Sequence, residues 1–286
     1  VDERRAVLNL PGRAGLATPT LMPERGTLRQ GGRYPAGMNT TPLHVTVVTG
    51  ASRGLGLSLA SQLLARGHRL LTLQRQPNPA LQGMVEQWAV DLAEPGPVAE
   101  RLGQWVVALP RGGLASLTLV NNAALLVTPG PVRDAAAGEV TRAMRASLEA
   151  PLLLTAAFLR ASADMATPRK VLNISSGLGR FAMAGSAVYC AAKAGLDHFS
   201  RAVALEEAER PNGARIVSLA PGVIDTDMQV QLRSADPAAF SAQGRFQSMK
   251  QSGGLDSGEA AAAKVLAFLE RADFGANPIG DVRDPR

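Results

Sequence analysis

The chain has 286 residues, one cysteine, three histidines and a formal net charge of +6. A single cysteine excludes an intrachain disulfide and a cysteine metal cluster, and it fits a reducing, cytoplasmic setting. The histidines, His44, His68 and His198, lack ligand spacing, so no metal is expected. Aromatic residues make up only 4% of the chain while Ala, Leu, Val and Gly abound, a balance that suits helices packed on a parallel sheet better than a β-sandwich. No uninterrupted apolar run reaches the length of a membrane span; the richest, Pro151 to Leu159, is short and broken by Thr155. The positive charge could suggest nucleic acid. Yet half of the excess falls in the first 37 residues, and no lysine-rich run or aromatic interleaving is there to stack bases. A solvated basic surface is the simpler reading, and neither nucleic acid nor membrane is expected as a partner.

Residues 1–37 are rich in Gly, Pro and Arg and lack apolar periodicity. The chain begins with Val, and Met38 stands shortly before the first strand-like run. Met38 is therefore expected as the natural start, residues 1–37 as a disordered leader or artificial extension, and residues 38–286 as one folded domain. An Arg-rich transit peptide is the alternative, weakened by Asp2, Glu3 and Glu24.

From Leu43 onward, strand and helix patterns alternate. His44 to Val48 is a short apolar, β-branched run and reads as a buried strand. After a Gly-rich stretch over residues 50–56, Leu57 to Arg66 reads as a helix stopped near Gly67. Strands are expected at Arg69 to Leu73, Trp88 to Val90, Leu117 to Val120, Lys170 to Ile174, Arg215 to Leu219 and Ile279 to Val282. Helices are expected at Pro97 to Leu109, as one long stretch over residues 134–160, at Ser186 to Glu209 and at Ser257 to Arg271. Residues 228–253 read as a long insertion of mixed polarity, a lid or plain surface. This alternation predicts an α/β fold: a single doubly wound parallel sheet with helices on both faces.

The stretch Thr49-Gly50-Ala51-Ser52-Arg53-Gly54-Leu55-Gly56 lies between the first strand and the first helix. Glycines there let the backbone approach a pyrophosphate, and the helix N-terminus beyond offers free N–H groups and a positive dipole end. The spacing Gly-x-x-x-Gly-x-Gly with Thr49 in front resembles the signature of the short-chain dehydrogenase/reductase family. Asn121-Asn122-Ala123-Ala124 resembles that family's Asn-Asn-Ala-Gly, with Ala124 a small departure. The resemblance covers about residues 43–283 and implies a Rossmann-type domain that binds a nicotinamide cofactor. It implies cofactor contacts at Thr49, Gly50, Ser52, Arg53, Gly54, Leu55, Gly56, Asp91, Leu92, Asn121 and Ala123. Further contacts fall at Pro221, Gly222, Val223 and Thr226 near the nicotinamide. The second strand runs into Gln74-Arg75 without the carboxylate that would bind the ribose 2′-OH of NAD. Arg75 and Arg53 instead offer guanidinium groups to a 2′-phosphate, so NADPH is expected over NADH.

Tyr189 and Lys193 stand four apart, on one face of a helix. Tyrosine has an ordinary pKa of about 10, and a nearby cation makes its proton easier to give up. Ser176 precedes Tyr189 by thirteen residues and closes the fifth strand. In the family's order these match a triad in which Ser176 positions a carbonyl oxygen, Tyr189 protonates it, and Lys193 holds the cofactor ribose and tunes Tyr189. Many members add an asparagine that holds a relay water; Ser147 stands at its place. That departure keeps open an NADPH-binding regulatory protein with little turnover, against which the intact triad argues. The stretch Ala220 to Gln229 and the terminal Gly280-Asp281-Val282 resemble the subgroup that contains sepiapterin reductase and bacterial benzil reductase. The resemblance implies reduction of a vicinal dicarbonyl or an aromatic ketone, with a 3-oxoacyl or other alcohol dehydrogenase as the alternative. Leu178, Met183 and Met228 are expected to line an apolar pocket with few charges. The helices over residues 134–160 and 186–209 are expected to pair in a homodimer or tetramer.

Overall fold

The computed structural model describes residues 43–284; the expectation for residues 1–37 lies outside them. Among the described residues seven strands form one sheet in the order β3-β2-β1-β4-β5-β6-β7, every neighbouring pair parallel. They are β1 (Leu43–Thr49), β2 (Arg69–Gln74), β3 (Glu86–Ala89), β4 (Leu114–Asn121), β5 (Arg169–Ile174), β6 (Arg215–Ala220) and β7 (Ile279–Asp281). The inner strands are apolar on both faces because helices cover both. On β1, Val45 and Val47 enter one core and Val48 the other, as the two-residue strand period requires.

The first core packs α2 (Pro95–Val107), α4 (Ala150–Ala161) and α5 (Ala187–Ala208) on the sheet. Phe158 and Leu154 of α4 are fully enclosed there. The second core packs α1 (Gly54–Ala65) and α8 (Gly258–Leu269), through Leu59, Leu63, Val265 and Leu266. A satellite core of Leu232, Phe240 and Phe246 joins α6 (Asp227–Arg233) and α7 (Gln243–Gln251). Among the described residues no helix is long and apolar enough to cross a membrane.

Two expectations change. The single helix over residues 134–160 is α3 (Ala137–Met144), a π-helical stretch at Arg145–Glu149, and α4. A π turn shifts the hydrogen bonds by one residue, which leaves the apolar periodicity nearly unaltered and so invisible in sequence. The insertion over residues 228–253 gains helices: it holds most of α6 and all of α7, pinned where Asp225 accepts from Arg233 at 3.1 Å and Lys250 at 2.5 Å. Both basic side chains hold the Asp225 carboxyl below the ordinary carboxylate range. The third strand starts at Glu86, two residues earlier than expected, and α1 begins at Gly54, within the glycine stretch.

Candidate active site

An open cleft of about 1200 Å³ runs along the C-terminal ends of the strands, where ligands of open α/β sheets sit. The glycine turn forms one wall. Gly50 and Gly54 adopt φ of 70° and 56°, a left-handed backbone that favours glycine. A Cβ on Gly56 would lie 2.1 Å from the Gly50 carbonyl oxygen, so the turn closes on itself only without a side chain there. Arg53 caps α1 in extended conformation and makes no side-chain cap, so the first N–H groups of α1 face the cleft unclaimed by a capping side chain.

The structure sorts the expected cofactor residues. Gly50, Ser52, Arg53, Gly54, Leu55, Gly56, Arg75, Asp91, Leu92, Ala123, Pro221, Gly222, Val223 and Thr226 all line the cleft. Thr49 and Asn121 do not. Thr49 Oγ1 accepts from the N–H groups of Asn122 and Ala123, both at 2.9 Å, and so ties β1 to β4. Asn121 is buried and donates to Thr155 at 3.1 Å and Asn173 at 2.8 Å. The neighbour that sequence reasoning passed over, Asn122, lines the cleft and donates to the Thr49 carbonyl at 2.9 Å. Strand alternation is the signal that could have separated the two: Asn121 faces into the sheet layers, and Asn122 stands past the strand end. Asp91 accepts from Ala93 N–H at 3.0 Å and pairs with Arg142 at 2.6 Å. The Ala93 bond and Arg142 hold its carboxyl below the ordinary range, so it stays anionic at the cleft wall.

Ser176, Tyr189 and Lys193 all line the cleft, with the Ser176 hydroxyl beside the Tyr189 phenol. Ser176 caps a short 3₁₀ turn, accepting from Leu178 N–H at 3.2 Å. Tyr189 and Lys193 share a face of α5, with Lys193 Nζ 5.6 Å from the phenol ring centroid. Lys193 is buried, and its ammonium donates to the Ile174 carbonyl at the end of β5 at 2.7 Å. Burial pushes the Tyr189 phenol up to about 12, against the Ser176 hydroxyl beside it, which pulls the other way. Burial also draws Lys193 down to about 8, opposed by the Asp197 carboxylate. At neutral pH the phenol therefore keeps its proton, and a largely cationic lysine stands ready to offset charge that develops when the proton leaves.

Ser147 sits inside the helical stretch rather than on the cleft wall. It lies buried in the π turn, where its hydroxyl accepts from Leu125 N–H at 2.9 Å and donates to the Leu125 carbonyl at 3.3 Å. Its bonds anchor the segment after β4, and it is absent from the cleft lining. The expected pocket residues Leu178, Met183 and Met228 do line the cleft, joined by Phe181, Leu232, Phe246 and Met249. The expectation of few charges is corrected: Asp225, Asp227, Arg245 and Arg283 share that lining, because α6, α7 and the chain end fold over the mouth.

The family model described as short chain dehydrogenase matches residues 44–237. The chain belongs to this family. It is 31% identical over 247 residues to benzil reductase ((S)-benzoin forming) of Bacillus cereus, covering 84% of this chain and 98% of that protein. It is 34% identical over 260 residues to sepiapterin reductase of Mus musculus, covering 84% of this chain and 97% of the relative. The crystal structure of the KRED1-Pglu enzyme superposes with a TM-score of 0.70 at 26% identity, over 83% of this chain and 99% of that one. The chain is thus a short-chain oxidoreductase of the kind that acts on carbonyl or alcohol groups, with the nicotinamide-binding fold of its family.

Proposed function

We propose that this chain is an NADPH-dependent carbonyl reductase that acts on a vicinal dicarbonyl or aromatic ketone. The observation that carries this reading is Ser176, Tyr189 and Lys193 at one point of a cleft that joins a phosphate-binding turn to an apolar wall. The cofactor fits the residues present. The left-handed glycines leave room for a pyrophosphate, the N-terminus of α1 supplies donors, and Arg53 and Arg75 line the same wall for a 2′-phosphate. No carboxylate stands at the end of β2, where NAD would need one. When bound, the nicotinamide supplies the hydride that reduces the carbonyl carbon.

The chain's own residues do the rest. Ser176 and Tyr189 donate hydrogen bonds to the substrate oxygen, and the Tyr189 hydroxyl gives up its proton to that oxygen. Lys193 binds the nicotinamide ribose and counters the negative charge on the phenolate. Leu178, Phe181 and Met183 exclude water from the carbonyl and favour an apolar substituent beside it. The relatives' names point the same way, since benzil and sepiapterin reductases are named for carbonyl substrates. A homodimer or tetramer through α4 and α5 is part of the proposal; Leu205 on α5 is 71% exposed and would be covered. Gel filtration at the mass of one chain would refute that part.

The test follows NADPH and NADH oxidation with 1,2-diketones, sepiapterin, simple ketones and β-ketoacyl thioesters. The expected result is turnover that prefers NADPH and a diketone or aromatic ketone. Cofactor binding without turnover on any of them would favour a regulatory role instead.

A further inference from the structure

Beneath the Lys193 turn of α5 lies a buried ionic group that the reaction as described does not use. Asp197, one helical turn after Lys193, is 2% exposed. Its Oδ1 accepts from the Ser218 hydroxyl of β6 at 2.6 Å. Its Oδ2 has no hydrogen-bond partner and meets Arg180 Nε in an ion-pair contact at 3.4 Å. Arg180 in turn donates to the Gly280 carbonyl of β7 at 2.7 Å and lies 3.9 Å from Asp281. Asp281 pairs with Arg283, which lines the cleft. Gly179 presses its backbone onto this turn: a Cβ there would lie 2.9 Å from Asp197 Oδ2 and 3.0 Å from the Lys193 carbonyl oxygen.

Burying a carboxylate costs several kcal/mol unless it is matched by charge and hydrogen bonds. Asp197 has only one hydrogen bond and one loose ion pair, fewer than its four lone-pair sites can use. A purely structural pair would be expected to close with full hydrogen-bond geometry. We propose that Asp197 is a positioning residue for the carbonyl reduction above: its carboxylate, one helical turn from Lys193 on the buried face of α5, favours the charged form of that lysine, and Arg180, on the loop after β5 and tied to β7, is set against it. The proposal rests on the reductase reading for its catalytic meaning, and on the buried placement of Asp197 one helical turn from Lys193 and its pairing with Arg180 for its electrostatics.

The groups that face Lys193 from each neighbouring element agree. On α5 itself these are Tyr189, the Cys190 thiol beside it, and Asp197. β5 offers the Ile174 carbonyl, β6 offers Ser218, and the loop after β5 offers Ser176 and Arg180, behind which stands Asp281 of β7. The π turn meets α5 through Leu148 against Gly195, and its charged residues are engaged elsewhere, Arg145 with Glu94 at 2.8 Å and Glu149 at 3.9 Å. On α3, Arg142 pairs with Asp91 and Glu139 accepts from Thr128. Among these groups Asp197 is the carboxylate that acts on Lys193, and Arg180 is the cation paired with that carboxylate.

Two substitutions pull in opposite directions. Asp197→Asn keeps the shape and the Ser218 bond but removes the charge. Arg180→Gln keeps Asp197 and removes its cationic partner. The chain's lysines are Lys170, Lys193, Lys250 and Lys264, few enough to follow by ¹³Cε-lysine NMR across a pH titration without any turnover. The Lys193 midpoint should fall by about one pH unit in Asp197→Asn and rise in Arg180→Gln. The alkaline limb of kcat should move the same way in each variant, with KM for the carbonyl little changed. Midpoints that stay put, or that shift together in one direction, would overturn the proposal. Should Asp197→Asn fail to fold by circular dichroism, Arg180→Gln alone decides, and an unmoved or lowered midpoint overturns it. Failure to reduce any carbonyl would remove the reductase reading and leave the titration result standing by itself.

Discussion

Gly56→Ala attacks the glycine turn where it is tightest. The new Cβ would lie 2.1 Å from the Gly50 carbonyl oxygen and 2.5 Å from Asn122 Nδ2. Neither neighbour can simply move aside. Gly50 is backbone, and Asn122 Nδ2 already donates to the carbonyls of Thr49 at 2.9 Å and Gly50 at 3.3 Å. The turn must open, which costs about 1–3 kcal/mol of overpacking and about 1 kcal/mol for a weakened hydrogen bond. A loss of about 2–4 kcal/mol should lower Tm by about 5–15 °C in a domain of this size. The N–H groups of α1 would also turn away from the pyrophosphate site, so NADPH affinity should weaken about tenfold or more, each tenfold being about 1.4 kcal/mol. Thermal denaturation and NADPH fluorescence titration measure the two effects separately. A variant with wild-type Tm and wild-type affinity would refute the claim that this contact shapes the turn.

Other outcomes follow from the same coordinates. Removing both Arg53 and Arg75 should cut the preference for NADPH over NADH by about 10–100-fold, the worth of a charge-assisted bond of about 1.5–3 kcal/mol, as measured by kcat/KM with each cofactor; Arg53 also pairs with Asp227 at 2.5 Å, an exposed bridge that adds little stability. Phe158→Ala empties a fully enclosed site in the first core, and should cost about 3–5 kcal/mol in denaturant unfolding while the folded fraction keeps its KM. Lys193 sets a pH signature: below about pH 8 it is cationic in both states and burial penalises the folded one, whereas between about 8 and 10.5 only the unfolded chain keeps the proton. Wild-type stability relative to Lys193→Met should therefore rise with pH across that window, by at most about 3 kcal/mol; parallel stability curves would contradict the buried cation.

What the sequence made legible were features with a local signature. Apolar runs bounded by glycine located the strands, and Gly50, Gly54 and Gly56 marked the turn because only a tight backbone needs that residue so often. Ser176, Tyr189 and Lys193 were readable because one helix face and one strand end suffice to bring them together. Features that depend on tertiary contact were not readable. Arg180, Asp197 and Asp281 come from a loop, a helix and a strand far apart in the chain, and nothing in their neighbours signals that they meet. The bonds of Ser147 to Leu125 were not readable either, because they form across the π turn. α7 escaped notice because Phe246 is its only buried residue, too few for a helical stripe.

The most direct test of the central claim is steady-state and single-turnover reduction of a reactive 1,2-diketone by wild type and Tyr189→Phe, with NADPH affinity measured on both. The account predicts that kcat falls by about 10²–10⁴-fold, the share typical of a lost general acid, while NADPH binding stays within about twofold because the phenol hydroxyl is spent on the substrate oxygen. A Phe variant that keeps turnover near the wild-type rate would contradict it and move the proton donor away from Tyr189.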